Sequence, residues 1–512
     1  MADVSSSLPL TRVSRRAALA MGGASAASVT LLGIAAAGTR PTDEKNPIRA
    51  LTPRGKPGHQ FVLYSDCCAG IPNGRYAANL QSVNRTVARI RPEPEFISFP
   101  GDAISGYITD YAALRKQWEY WSNTEMAWLK EKPFPLYQST SNHNTYDDGS
   151  EKVFREVHPD IPQNGRADQK GLAYFVRRDD LLYVSTHQPD RRRTPNYRPG
   201  MLIDSKWLDR ILTENKDARF KFVAGHYPVF PVNGYVNYPL WCFKPEERRP
   251  FWKVLVKHRV DAYLASHIIA FDVQVHDGVL QIVSGGAGTN YGPGGFMPGR
   301  TEYLHAVQMA VDDSGLRYQV LDIAGKVRES LVWPFSLPKV DAWTTLTSQN
   351  IKAIMTGSSV SKGIVGWRFR GTIGRTNLKQ QASTLLCGWN NGEGVATVWI
   401  GFDGNPPRAT VRLVPESTYG SQTWTGPIFK EQSPFDFQIA LHPGMGPSGV
   451  LFRKDNSSPW SSLSSASSRG DEILSWPPHW AIGMSQSGTT DRQFQGTNLD
   501  ITWTRCDVPG LS

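Results

Sequence analysis

Val223-Ala224-Gly225-His226-Tyr227-Pro228-Val229-Phe230 is the stretch on which the reading of this chain turns. An apolar run leads into glycine and then histidine, so the imidazole stands where a buried strand, Phe220–Ala224, would end. Four other clusters surround it in chain order: Ser65-Asp66-Cys67-Cys68, Pro100-Gly101-Asp102, Ser141-Asn142-His143 and Ser266-His267-Ile268-Ile269. At least four of the five follow a short apolar run. Several strands that end in Asp, Asn and His can gather those side chains around one metal ion.

Working outward, strand and helix patterns alternate. Phe61–Ser65, Phe96–Phe99, Phe134–Ser139, Leu181–Thr186, Phe220–Ala224, Val260–Ala265 and Val279–Ser284 read as short buried strands. Tyr76–Ile90, Tyr111–Lys130 (a long Trp-rich helix), Leu202–Asn215 and Glu246–Arg259 read as helices, and Leu304–Val311 with Arg317–Ile323 as a closing hairpin. Such alternation predicts an α/β domain over residues 58–332. Residues 333–341 form a Pro-rich linker. Residues 342–508 lose helical periodicity and offer alternating runs (Ala396–Phe402, Ala409–Val414, Phe435–Leu441, Gly449–Arg453, Leu499–Trp503), which predicts an all-β sandwich.

The chain has 512 residues, too many for one core, with the 40% apolar and 20% charged content of a globular protein. Residues 1–37 read as a targeting segment and 38–57 as a polar leader. Ser14-Arg15-Arg16-Ala17-Ala18-Leu19 is a twin-arginine pattern, followed by an Ala/Gly-rich run ending in Ala35-Ala36-Ala37. This predicts recognition by the twin-arginine export machinery and a periplasmic or secreted protein; an uncleaved weak membrane anchor is the alternative. No later stretch is apolar enough to span a bilayer. Net charge is +10, and residues 1–37 carry three arginines against Asp3, leaving +8. That excess suits anionic substrates or cell-wall polymers. No nucleic-acid motif accompanies it, so nucleic acid is not an expected partner. Five cysteines are no disulfide framework, although Cys387 and Cys506 could pair.

A divalent cation polarises a phosphoryl oxygen and acidifies bound water, and two cations can hold both attacking and leaving oxygens. The five clusters supply the carboxylate, imidazole and amide ligands that this chemistry needs, and resemble the D-x-H, G-D, G-N-H, G-H and G-H-x-H blocks of calcineurin-like metallophosphoesterases. Val223–Phe230 and Val260–Gly288 are especially similar to the purple, tartrate-resistant acid phosphatase branch. The resemblance covers roughly residues 58–325 and implies an α/β/β/α two-sheet sandwich that hydrolyses a phosphate mono- or diester by metal-bound hydroxide, using zinc, iron or manganese. Carried over by position, it implies Asp102 as bridging carboxylate, with Asn142, His226 and His267 completing one metal site. His143 is implied as the catalytic group that acts on the leaving oxygen. Asp66 and Cys68 are implied at a second, incomplete metal site, where Cys68 and Ile269 replace histidines. Ser105 stands where the purple enzymes have their coloured tyrosine, so no iron–tyrosinate colour is expected. Two outcomes follow: one tight metal with a weak neighbour, or a fold that has lost hydrolysis.

The segments Phe435–Leu441, Gly449–Arg453, Trp480–Met484 and Phe494-Gln495-Gly496-Thr497-Asn498-Leu499-Asp500 resemble concanavalin A-like, laminin G-type sandwiches. That resemblance implies a lectin-like jelly roll and a glycan partner bound through exposed aromatics. The rival reading of the whole chain is therefore a non-catalytic, glycan-binding surface protein. Nine of the 16 tryptophans fall in this half, and core filling explains them equally well.

Other features read as structural. His187 is a core histidine at a strand end, Cys67 a buried spacer, and Trp118, Trp121 and Trp128 a packed helix face. Arg191-Arg192-Arg193 reads as solvated surface and Gly285–Gly295 as a turn-rich rim without the Lys-Ser/Thr of a phosphate loop. No Gly-x-Ser-x-Gly elbow occurs.

Overall fold

The computed structural model describes residues 46–188, 203–236, 241–289, 303–356, 363–375, 382–390, 396–413, 422–465, 477–484 and 493–507. Residues 1–37, read above as a targeting segment, the Arg191–Arg193 run and the later parts of the Gly285–Gly295 and Asn456–Arg469 stretches lie outside the described residues. Among those described, no helix is long and apolar enough to cross a membrane.

Two six-stranded mixed sheets build residues 58–333. The first runs Val327–Trp333, Gly315–Asp322, His305–Asp312, Gly58–Leu63, Ile97–Phe99, Leu136–Gln138, with the last three parallel. The second runs Phe271–His276, Val279–Ser284, Ala262–Ala265, Phe220–Ala224, Leu181–Ser185, Tyr174–Arg178, parallel through its middle four. Strands such as Phe220–Ala224 are buried at every residue, as parallel strands covered on both faces must be.

The sheets meet face to face. Phe61 of the first packs edge-on against Phe222 of the second at 4.9 Å, and Ser98 bonds Tyr183 across the gap at 2.9 Å. Helices Ser205–Glu214 and Pro245–Lys257 cover the second sheet through Trp207, Leu208, Phe251 and Trp252. Helices Ala77–Ala88, Tyr111–Tyr120 and Asp148–Val157 bury Leu80, Leu114, Trp118 and Phe154 against the core that contains the first sheet.

The helix expected over Tyr111–Lys130 is instead broken in three. Its α-helical part ends at Tyr120, a π-helical turn covers Trp121–Glu125 and a 3-10 turn Ala127–Glu131. The wide turn lets Trp121 pack on Phe99 (5.7 Å) and swings the Glu125 carboxylate onto the amide of Gly70 at 2.7 Å.

Beyond residue 342 two antiparallel sheets share one core. The six-stranded sheet is ordered Thr344–Thr345, Gly496–Asp507, Gly363–Ile373, Pro434–Leu441, Val450–Arg453, Ser461–Ser462. The five-stranded one is Gln422–Ile428, Arg408–Leu413, Ala396–Asp403, Ala382–Trp389, His479–Ile482. Trp367, Phe369, Phe437 and Ile439 of one meet Leu386, Val398, Ile400 and Val411 of the other. No disulfide forms among the described residues; Cys387 and Cys506 lie on strands of different sheets.

This half is docked tightly on the first. Ala440, Met445, Leu451 and Trp460 join the core of the two-sheet half, and Phe335 in the linker packs on Trp460 at 5.7 Å. Ser448 donates to the buried Asp272 carboxylate at 2.6 Å and receives Asn233 Nδ2 at 2.9 Å.

Candidate metal centre

All five clusters sit where parallel strands end. Asp66, Asp102 and Asn142–His143 follow three neighbouring strands of the first sheet, and His226 and His267 follow two neighbouring strands of the second. Facing carboxyl ends of this kind form the usual crevice for ligands in parallel sheets. Asp66 (φ 64°), Cys68 (42°), Asp102 (50°) and His267 (67°) all adopt left-handed backbone. Each such residue costs on the order of 1 kcal/mol, and strain of this sort concentrates at functional sites.

Four ligand atoms converge. His226 Nε2 lies 2.6 Å from Asn142 Oδ1, 3.0 Å from His267 Nδ1 and 3.4 Å from Asp102 Oδ2. His267 Nδ1 is 3.1 Å from Asn142 Oδ1. Two of these groups have their donor edges engaged elsewhere. His226 donates from Nδ1 to the Pro100 carbonyl at 2.9 Å, which leaves a lone pair on Nε2. Asn142 donates from Nδ2 to the Tyr107 hydroxyl at 2.9 Å, which turns Oδ1 inward. Two acceptors, His226 Nε2 and Asn142 Oδ1, therefore face one another in a buried place, with the half-buried His267 Nδ1 beside them, an arrangement that a cation relieves. Donors about 2.1 Å from one ion stand roughly 3 Å apart when adjacent in its shell, and the four atoms match that spacing.

Asp102 also belongs to a second group. Its carboxylate, Cys68 and His143 offer ligand atoms all within 4.8 Å of one another. His143 Nε2 lies 3.9 Å from Asp102 Oδ2, while its Nδ1 donates to the Ser105 carbonyl at 2.6 Å. The His143 side chain is 28% exposed, whereas that of His226 is fully buried. Asp66 joins neither group. Its Oδ2 accepts the backbone N–H of His267 at 2.8 Å, and burial, then the neighbouring Asp102 charge, push its carboxyl well above the usual range. Burial alone would raise Asp102 too, but His226 and His143 beside it hold that carboxyl well below its ordinary value. Burial, followed by Asp102 and Asp66, raises the Cys68 thiol strongly. Ile269 is half-buried and offers no ligand atom.

Sequence reasoning missed the groups that aim these ligands. The Pro100 and Ser105 carbonyls are backbone atoms with no side-chain signature. Tyr107 and Ser141, whose Oγ lies 2.9 Å from the Asp102 amide, look like ordinary loop residues. Cys67 is buried with Sγ on the Ala103 carbonyl at 2.9 Å. His187 is buried between Thr140 Oγ1 (3.0 Å) and Glu151 Oε1 (3.3 Å), just behind the Asn142 loop.

No family model and no curated protein matches this sequence. Among solved structures the chain is similar to a purple acid phosphatase from yellow lupin (Lupinus luteus) seeds, with 14% identity and a TM-score of 0.41 over 55% of this chain and 54% of that one. It thus spans about half the length of the lupin protein. It is also similar to GAP50, the anchor in the inner membrane complex of Plasmodium (13%, TM-score 0.39, over 55% of this chain and 90% of that one). A third similarity is to Vps29 complexed with zinc from Entamoeba histolytica (10%, TM-score 0.26, over 53% and 98%). Likeness at this level assigns neither activity nor ligand to the present chain.

Proposed function

We propose that this chain is an exported calcineurin-like metallophosphoesterase that hydrolyses a phosphate mono- or diester at a centre with one strong metal site. The observation that carries the reading is the convergence of Asp102 Oδ2, Asn142 Oδ1 and His267 Nδ1 on His226 Nε2, at 3.4, 2.6 and 3.0 Å. The donor set fits zinc, iron or manganese. Such an ion, when bound, supplies Lewis-acid polarisation of a phosphoryl oxygen and lowers the pKa of water.

The chain's own residues divide the remaining work. Asp102, Asn142, His226 and His267 hold the cation. Pro100 and Tyr107 fix the tautomer of His226 and the amide orientation of Asn142. His143, the more exposed imidazole, has Nδ1–H committed to Ser105 and presents Nε2 towards the centre, where it can carry a proton for the leaving oxygen. Cys68 serves a weak second position that shares Asp102, and Asp66, outside both groups, braces the His267 backbone N–H. Ser14–Leu19 supports export by the twin-arginine route.

The glycan-binding rival draws less support. Six of the tryptophans beyond residue 342 (Trp343, Trp367, Trp399, Trp424, Trp460, Trp480) are buried. They serve packing, and the concanavalin A-like resemblance is better taken as a matter of fold.

Metal analysis of purified protein, with mono- and diester phosphatase assays, tests the proposal. Expected are about one tightly held equivalent of metal and activity that falls at least ~100-fold in His226→Ala as the metal is lost. Metal content and hydrolysis unchanged in that variant would overturn the site.

A further inference from the structure

A second recess lies among residues that share nothing with the metal centre. It is a cavity of about 900 Å³, walled on one side by the segment Asn46–Arg54 and on the other by Gln308, Arg317 and Leu321 of the first sheet. Arg89, just past helix Ala77–Ala88, closes one end. The stretch that reads from sequence as a mere leader therefore forms a wall. It is pinned by Ala50 N to the Arg91 carbonyl (2.8 Å) and Leu51 N to Gln308 Oε1 (2.8 Å).

The lining contains four arginines, Arg49, Arg54, Arg89 and Arg317, and no aspartate or glutamate. Arg317 is only 7% exposed. Its Nη2 donates to the Thr52 carbonyl at 2.7 Å and meets Asp312 Oδ2 at 3.3 Å, but its buried Nε makes no hydrogen bond. The buried Nε of Arg89 likewise has no acceptor. Asp312 is shared, since it also accepts the Arg54 amide at 2.6 Å. Asp312 thus pairs with the Arg317 guanidinium, while the lining itself carries four arginines and no carboxylate. Burial, then the charge of Arg54, lowers the Arg317 value despite the opposing pull of Asp312. Ile48, Leu51, Leu321 and Val327 add apolar wall between the charges.

We propose that this cavity binds a small polyanion, one carrying several phosphate or carboxylate groups, through Arg49, Arg54, Arg89 and Arg317. Guanidinium forks match both oxyanion geometries in pairs. The volume suits a small organic molecule. The inference stands apart from the phosphoesterase reading, because no lining residue is a candidate ligand or proton carrier.

Calorimetric titration of the full chain with tripolyphosphate and with citrate tests it. Parallel titrations use His226→Ala, which removes the metal centre, and Arg49→Gln/Arg54→Gln, whose side chains are exposed and unneeded for the core. Saturable binding that persists in His226→Ala and weakens at least ~10-fold in the double glutamine variant supports the proposal. The tighter of the two probes then names phosphate or carboxylate as the ligand's chemistry. The double variant is expected to keep wild-type phosphoester hydrolysis. Absence of binding to either probe, or binding indifferent to Arg49→Gln/Arg54→Gln, overturns the proposal; so does binding lost only with His226.

Discussion

Asp102 stands in both ligand groups, in a left-handed backbone, at the end of a three-residue strand. The residue before it makes that possible. Gly101 has φ 100°, and a Cβ there would lie 2.5 Å from Ser141 Cβ and 2.8 Å from His226 Nδ1. Gly101→Ala is therefore expected to destabilise the protein by about 3 kcal/mol and to dislodge His226, read as a lower denaturation midpoint together with reduced metal content. In the proposed reading the second position is weak because Cys68 and Ile269 stand where the resemblance implies imidazoles. Cys68→His/Ile269→His is expected to raise bound metal from about one equivalent towards two, measured by elemental analysis after dialysis. No gain in that variant would mean that Ile269 does not face the centre. The gathering of Asp102, Asn142, His226 and His267 was legible in the chain because Asp, Asn and His at strand ends carry their chemistry in their side chains. Their aiming was not legible, since it depends on the Pro100 and Ser105 carbonyls and on a tyrosine hydroxyl five residues downstream of Asp102.

At the level of elements, short buried strands declared themselves through unbroken apolar runs. Phe271–His276 did not. Its residues alternate apolar and polar, as in a strand with one wet face, yet Asp272 is buried against Ser448 of the C-terminal half and Gln274 against the Pro231 carbonyl. The fracture of Tyr111–Glu131 was equally hidden, because helical spacing of Trp118 and Trp121 survives a π-turn that only tertiary packing demands. The Asp272 contact is testable. Ser448→Ala removes a donor from a carboxyl whose burial pushes it up to about 6. The expected loss is about 1–3 kcal/mol in a denaturant titration. The sign with pH follows: a carboxyl raised in the folded state favours folding at low pH, and that contribution fades as pH climbs from 3.8 through about 6.

Across the whole molecule, buried histidines act in the opposite sense. Burial lowers His158, His276 and His442 to about 3 and His305 to about 4, from an ordinary 6.5. A base depressed in the folded state contributes fully above its unfolded value, and the contribution drains away as pH falls from 6.5 towards 3–4. Four carboxyls oppose them: burial raises Asp261 and Asp272 to about 6, Glu125 to about 7 and Asp66 well above its ordinary range. Between pH 7 and pH 5 the two sets pull against one another, so the readable quantity is the difference made by removing one base. His442→Gln is expected to lose less Tm, or gain more, than the parent chain on acidification over that window.

The way Trp460, Met445 and Ala440 lodge in the core of the two-sheet half has a practical consequence for anyone cutting the gene. A truncation near residue 342 would not yield two tidy modules. It would flay an oily seam on each piece, and both fragments would be prone to clump, whatever sugar or ester they were then asked to recognise.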